Sequence, residues 1–234
     1  MNINPDKTVY LVLGSLSLNA TIVDTWAVMA LIIGLSVFLS RGIGTGPDAP
    51  KRQYFLEAVL SFLEGQVRSG LGTDARPFLP FLGALFIFVF SANVLEILPL
   101  FHPPTASLST TAALAACVFF AVPLYGVKKR GLAAYLRDYI EPSALMLPFN
   151  VISELSRTVS LAVRLFGNMM SEGLVAAALL AIVPFFVPAI MQAFGLVIGA
   201  VQAYIFFTLA SVYIGAAITV SGGDRPGEVR KEAT

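Results

Sequence analysis

The chain has 234 residues, of which 57% are hydrophobic and 12% are charged, and its formal net charge is +1. Its mean hydropathy of +0.82 lies far above that of a soluble domain, and the near-neutral charge excludes general electrostatic attraction to nucleic acid. A single cysteine, Cys117, excludes an intrachain disulfide, and the sequence predicts neither a metal site nor a cofactor.

Apolar stretches predict five membrane helices, because a spanning helix needs about 20 apolar residues. The stretches cover residues 21–40, 78–100, 107–127, 144–183 and 185–220. Pro184 and Pro188 separate the last two, since proline interrupts helical hydrogen bonding. We therefore predict an all-α integral membrane protein with one membrane domain, whose last two helices are long, steeply tilted and form a hairpin.

Residues 51–70 predict a different kind of helix. Apolar residues recur there at helical spacing, with charges elsewhere around the wheel. This pattern is typical of an amphipathic helix that lies on the membrane surface.

Positive charges predict the orientation, because Lys and Arg are retained on the cytoplasmic side during insertion. They cluster after the first helix, after the third helix and in the C-terminal tail, at Arg41, Lys51, Arg52, Arg68, Arg76, Lys128, Lys129, Arg130, Arg137, Arg225, Arg230 and Lys231. This places residues 1–20 outside and the tail, residues 221–234, in the cytoplasm. Arg157 and Arg164 are left without an explanation.

Both arginines belong to a polar stripe on the fourth membrane helix. Its members recur three or four residues apart and share one helix face: Ser153, Arg157, Ser160, Arg164, Asn168 and Ser171. A helix over residues 149–183 would be about 52 Å long, against about 30 Å of hydrocarbon. It must tilt, kink or run partly along the surface.

A charge at membrane depth costs from about 2.5 to more than 10 kcal/mol, so it faces protein or water and usually serves transport. For Arg164 we favour such a role over a structural ion pair, because Glu172 and Glu96 are not obvious dedicated partners. For Arg157 the structural interpretation is favoured, since Glu154 lies one turn away.

Two further groups of polar residues are candidates for the same site. On the last helix, Gln192, Gly195, Gly199 and Gln202 share a face that allows close helix packing, and we expect it near the arginine stripe. On the second helix, Asn93 and Glu96 lie three residues apart near the outer end. Glu96 is either an interfacial carboxylate in water or part of an ion entrance.

The segment "ELSRTVSLAVRLFGNMM" carries a resemblance to a known family. Its residues Arg164 to Asn168, preceded by Ser160 and Leu161, match the central motif of subunit a of the membrane sector of F-type ATP synthases. "NVLEILP", "PTASLSTTAALA" and "VQAYIFFTLASVYIGAA" resemble further parts of that family, and the resemblance covers most of the chain after about residue 50.

The resemblance implies a function. Arg164 would be the essential stator arginine, Asn168 and Gln202 would line its neighbourhood, and the last two helices would curve around a ring of c subunits. Peripheral stalk b subunits and, indirectly, the catalytic ATPase sector would be further partners in a bacterial inner membrane. The chain itself would have no ATP site. Asn93, Glu96 and Glu172, with its neighbour Ser171, would line an outer ion path, and Ser153, Arg157 and Ser160 an inner one.

The sequence departs from the family in one place. Many relatives carry an acid or a histidine five residues after the motif asparagine and a polar partner seven residues before the glutamine. Here these positions are Gly173 and Gly195, and the acid, Glu172, is displaced by one residue. We expect it at a different angle in its half-channel. The coupling ion stays open between H⁺ and Na⁺.

Two other classes of function are compatible with the same residues. A self-contained cation channel or transporter would use Arg164 as a gate and act without partners. A scaffolding membrane protein would not need Arg164 for ion pumping.

Overall fold

The computed structural model describes residues 9–13, 16–41, 51–72, 74–98, 101, 103–140, 145–182 and 187–219. The described elements follow one another as β1 (Val9–Leu13), β2 (Leu16–Asn19), α1 (Ala20–Ser40), α2 (Lys51–Leu71), α3 (Leu79–Val94), α4 (Leu108–Arg130), α5 (Leu132–Ile140), α6 (Met146–Ile182) and α7 (Val187–Thr219). Two short 3-10 helices, Leu95–Ile97 and Pro104–Ala106, lie between α3 and α4.

Within the described residues, five helices are long and apolar enough to cross a membrane. Their spans are Thr21–Ser40, Leu79–Ile97, Leu108–Arg130, Leu147–Leu180 and Ile190–Thr219. The prediction of an all-α membrane architecture is confirmed for this part of the chain. The predicted cytoplasmic tail, residues 221–234, lies outside the described residues, as do residues 42–50.

The N-terminal segment contains strands that the sequence analysis did not predict. β1 and β2 pair antiparallel, with an irregular register between Val9 and Leu11. A two-stranded hairpin adds few residues to the fold, and hydropathy does not separate its apolar run from the start of α1. The predicted outer location of residues 1–20 stays a prediction.

The third membrane segment is followed by a short amphipathic helix, α5, that the sequence analysis missed. Tyr135 of α5 is buried, and its ring packs against Gly126 of α4, where an added Cβ would lie 2.6 Å from the ring. A nine-residue helix is stabilised mainly by such docking, so its sequence signal is weak.

α7 lies at the centre of the protein. Its buried face includes Phe206, Phe207 and Ile214, and it packs on α2, α3, α4 and α6. α2, α3, α4 and α6 add most of the remaining buried apolar side chains. The side chains of α1 are mostly exposed, which suits a helix surrounded by lipid.

α2 packs on α7 through small residues. Gly215 has no room for a Cβ, which would lie 2.7 Å from the carbonyl oxygen of Gly70. Leu63 and Val67 of α2 are buried in the core, whereas Phe55 is 65% exposed. The apolar residues of α2 are thus divided between protein packing and an exposed face, and the interfacial position of this helix stays a prediction.

Candidate functional site

The polar stripe lies on the exposed side of α6. All six of its members, Ser153, Arg157, Ser160, Arg164, Asn168 and Ser171, are exposed. The side of the helix next to the stripe is buried, with Leu161, Leu165 and Met169 each at most 1% exposed. The helical period therefore divides α6 into a face that packs on the protein and a face that is left open.

Arg164 lies near the middle of this open face. No hydrogen bond or ion pair to its guanidinium occurs within the part of the chain that the structure describes. Guanidinium stays protonated under all ordinary conditions and presents several donors. Arg164 is therefore a positive charge that no described residue pairs with.

Asn168 and Gln202 join α6 to α7 beside the arginine. The amide nitrogen Nδ2 of Asn168 donates a hydrogen bond of 2.6 Å to Oε1 of Gln202. Gln202 is only 1% exposed, and its Nε2 atom has no hydrogen-bond partner among the described residues. This contact confirms that the glutamine face of α7 meets the arginine stripe.

A cavity of about 260 Å³ lies at one end of the stripe, between α4, α5, α6 and α7. Ser153 and Arg157 both line it. The guanidinium of Arg157 lies 5.7 Å from the centre of the Tyr213 ring, a cation–π contact. Arg130 also lines this cavity and donates a hydrogen bond of 3.0 Å to the carbonyl oxygen of Ala217. We call this space the inner cavity.

A second cavity, of about 320 Å³, lies at the other end of the stripe, where α3, α6 and α7 meet. Asn93 of α3, Glu96 of the 3-10 helix Leu95–Ile97 and Glu172 of α6 line it together, although Glu172 is far from the other two in sequence. Gln192 of α7 lines it as well. We call this space the outer cavity.

Glu172 reaches across from α6 to α7. A Cβ atom added to Gly195 would collide with Oε1 of Glu172, so the carboxylate fills the space that a side chain at position 195 would need. A Cβ added to Gly173 would meet nothing within 4 Å. Of these two glycines, only Gly195 therefore lies directly against the carboxylate of Glu172.

Asn93 is held more tightly than the sequence analysis expected. It is 2% exposed, its Nδ2 donates a hydrogen bond of 2.9 Å to the carbonyl oxygen of Gly199, and its Oδ1 accepts one of 2.7 Å from Thr105 Oγ1. Asn93 is therefore part of a buried contact between α3, the 3-10 helix at Pro104–Ala106 and α7.

The central part of the stripe lies between the two cavities. The residues that line neither cavity include Arg164, Asn168 and Gln202, and also Ser160 and Ser171. Leu161 lines the inner cavity and Glu172 the outer one, so about 16 Å of α6 separates them at 1.5 Å per residue.

Three residues of this region were missed by the sequence analysis. Thr105 lies in the quoted segment "PTAS", but nothing in that segment indicates that it contacts Asn93. Arg130 was assigned only to the positive cluster that fixes orientation, and Tyr213 is one of several aromatic residues on α7. Their roles depend on which helices are neighbours, which periodicity within one helix does not reveal.

Comparisons with known proteins agree with this architecture. The family model described as "ATP synthase A chain" matches residues 22–215. The chain is 50% identical over 217 residues to "ATP synthase subunit a" of Albidiferax ferrireducens, covering 93% of this chain and 94% of that protein. It is 49% identical over 220 residues to "ATP synthase subunit a 1" of Crocosphaera subtropica, covering 94% and 96%, and 47% identical over 220 residues to "ATP synthase subunit a 2" of Acaryochloris marina, covering 94% of each. The chain is a multi-pass membrane protein that belongs to the ATP synthase A chain family.

Proposed function

We propose that this chain is the ion-translocating stator subunit of a rotary ATP synthase, in which Arg164 lies between two aqueous half-channels. One observation carries the proposal. Arg164 is exposed on α6, has no partner within the described residues, and lies between an outer cavity and an inner cavity that do not include it.

The outer cavity serves as the outer half-channel. Glu96 and Glu172 bring two carboxylates to it, and no Lys or Arg is among its described lining residues. Negative charge in a cavity with low-dielectric walls concentrates cations. An ion from the outside therefore enters beside Glu96 and passes Glu172 to a carboxylate on the adjacent c-subunit ring.

Arg164 acts on that ring carboxylate after it has lost its ion. The guanidinium attracts the emptied carboxylate and stabilises its charged form, because opposite charges interact strongly away from water. The same positive charge repels free cations, so ions cannot pass directly from one cavity to the other. Asn168 and Gln202 lie beside it, and Ser160 and Ser171 continue the polar surface on either side.

The inner cavity serves as the inner half-channel, lined by Ser153 and Arg157. The membrane potential contributes about 2.3 kcal/mol per charge per 100 mV, so several ions must pass for each ATP. Direction follows from the ion gradient. The chain needs no ATP site, because the catalytic sector is a separate part of the complex.

The proposal includes partners and an orientation. The open face of α6 contacts the c ring, b subunits of the peripheral stalk hold the chain stationary, and the catalytic sector is connected indirectly. The N-terminus faces the outside and the C-terminus the cytoplasm of a bacterial inner membrane, as the positive charges predict.

The test compares the isolated chain with the whole complex. We expect the chain to copurify with a small two-helix subunit that carries a mid-membrane Glu or Asp, and to transport no ions when reconstituted alone. Ion transport by the chain alone would contradict the stator function and support a self-contained channel.

The coupling ion is identified with the whole complex in vesicles. ATP-driven uptake is measured with and without Na⁺, and in the presence of a protonophore. Uptake of Na⁺ that persists with the protonophore identifies a primary Na⁺ pump, whereas loss of every gradient identifies a proton pump.

A further inference from the structure

Asn93 lines the outer cavity, yet its surroundings do not suit an ion-conducting side chain. It is 2% exposed and Thr105 is fully buried. The amide of Asn93 donates to the carbonyl oxygen of Gly199 and accepts from the hydroxyl of Thr105, at 2.9 and 2.7 Å. The amide nitrogen and the amide oxygen are thus both hydrogen-bonded. If the buried side chain moved to follow an ion, both hydrogen bonds would break and no water would replace them.

Gly199 makes this contact possible. A Cβ at position 199 would lie only 2.7 Å from the Cβ of Asn93. α3 and α7 therefore approach each other so closely that only glycine fits, and the carbonyl oxygen of a helical residue becomes accessible to a side chain from another helix. We call Asn93, Thr105 and Gly199 the α3–α7 lock.

The lock lies at the inner end of the outer cavity. On α7, Gly195 and Leu196 line the cavity, whereas Gly199, one turn further on, does not. Beyond Gly199 come Gln202, which is 1% exposed, and Ala203, which is fully buried. Leu196, where the cavity ends on α7, thus lies six residues before the glutamine that contacts Asn168.

We propose that Asn93 and Thr105 are positioning residues that close the outer half-channel at the α3–α7 lock, so that ions leave it along the exposed face of α6 from Glu172 and not through the protein interior. This inference rests on the proposed function, which identifies the outer cavity as the outer half-channel. It replaces the expectation that the Asn93 side chain passes ions, and it assigns the lock a second effect, which is to fix α7 so that Gln202 meets Asn168.

The experiment measures how far water-soluble reagents penetrate from the outer side. Two cysteines are introduced separately into the whole complex in membranes, in a Cys117→Ser background: Leu196→Cys in the cavity and Ala203→Cys beyond the lock. Each is exposed to Ag⁺ or a small charged thiol reagent added from the side of the N-terminus. We expect Leu196→Cys to react rapidly and Ala203→Cys to react slowly.

Disrupting the α3–α7 lock should change only the reaction rate of Ala203→Cys. Thr105→Val keeps the shape of the side chain but removes the hydroxyl, and we expect Ala203→Cys to react about tenfold faster, the order expected when a buried polar group loses its partner. Leu196→Cys should react at an unchanged rate. Thr105→Ser keeps the hydroxyl and should restore the slow reaction.

A second disruption covers the case in which Thr105→Val does not assemble. Asn93→Asp keeps the acceptor for Thr105 but removes the donor to Gly199, and the same increase is expected. Equal reactivity of Ala203→Cys and Leu196→Cys with the lock intact would overturn the proposal. So would an unchanged rate at Ala203→Cys in whichever lock variants assemble. If neither variant assembles, a rapid reaction of Ala203→Cys in the Thr105→Ser variant, which keeps the hydroxyl, would overturn the proposal.

The result is independent of the pumping assays. Thiol reactivity needs no ATP and no ion gradient, so a protein that failed the stator test could still show the protected position. Conversely, a functional stator with a freely reactive Ala203→Cys would retain the proposed function and lose the lock.

Discussion

The outer and inner cavities are similar in size but differ in charge. Glu96 and Glu172 face the outer cavity, without a Lys or Arg among its described lining residues. The inner cavity is lined by Arg130 and Arg157 together with Glu154. The two ends of the same helix pair therefore present opposite environments to a cation.

Within the proposed function, this difference in charge assigns the two cavities different tasks. A carboxylate-lined space concentrates cations, and a space with fixed positive charges shortens their stay. The outer cavity is thus suited to collecting ions at low concentration and the inner one to releasing them. Arg164, between the two, adds the positive charge that keeps them apart.

The cavities also differ in how their side chains are held. At the outer cavity and at its inner end, glycines of α7 leave room for residues of other helices, with Gly195 against Glu172 and Gly199 against Asn93. In the inner cavity, the ring of Tyr213 contacts Arg157. Side-chain size should therefore matter most in the outer cavity, and ring chemistry in the inner one.

The largest effect on this comparison is expected from Glu172→Gln. It removes one of the two outer carboxylates while keeping the shape of the side chain, so ATP-driven ion uptake should fall about tenfold to a hundredfold, as when a positioned ionisable group is lost. The matched control is Glu57→Gln on the exposed side of α2, which should leave uptake within about twofold because surface charges contribute little. Equal uptake in the two variants would show that Glu172 is not on the ion path.

Gly195→Ala should have an intermediate effect. A methyl group there collides with the carboxylate of Glu172. Overpacking costs about 1–3 kcal/mol, and the lower end applies here because the atom met is the far end of the flexible Glu172 side chain. We therefore expect displacement of Glu172 to lower ion uptake roughly threefold to tenfold.

Gly173→Ala is the control for this change, because the added methyl group meets nothing within 4 Å. It lies next to Glu172 on the same helix and makes the same chemical change. If both alanine variants assembled normally and pumped at the wild-type rate, the contact between Glu172 and Gly195 would not contribute to ion uptake.

The smallest effect is expected in the inner cavity. Tyr213→Leu removes the ring beside Arg157, and a cation–π contact of an exposed cation is worth about 0.5–1 kcal/mol, so uptake should fall about twofold to fivefold. Tyr213→Phe keeps the ring and should pump normally. A large loss in the phenylalanine variant would assign the role to the hydroxyl group instead.

Much of this architecture follows from local sequence patterns. Apolar runs predict the membrane helices, and the three- and four-residue spacing places Arg164 on the same face as Asn168. The composition of α7 also predicts that Gln202 meets the stripe, because small and polar residues recur on that face.

The remaining features depend on contacts between distant segments. The three-residue spacing predicts that Asn93 and Glu96 share one helix face. In the structure α3 ends between them, so Glu96 lies in a 3-10 turn that lines the outer cavity, whereas Asn93 is buried against Gly199. The displaced Glu172 could not be interpreted from α6 alone, since the space it fills is created by Gly195 on α7.

The most direct test of the central claim is ATP-driven ion uptake into vesicles that contain the whole complex with Arg164→Ala. Arg41→Ala, at the exposed end of α1, removes the same charge away from both cavities and serves as the control. Losing one member of a poorly hydrated charge pair costs several kcal/mol, so uptake with Arg164→Ala should fall at least about thirtyfold while Arg41→Ala pumps normally. Uptake with Arg164→Ala at the rate of the Arg41→Ala control, in a fully assembled complex, would contradict the account.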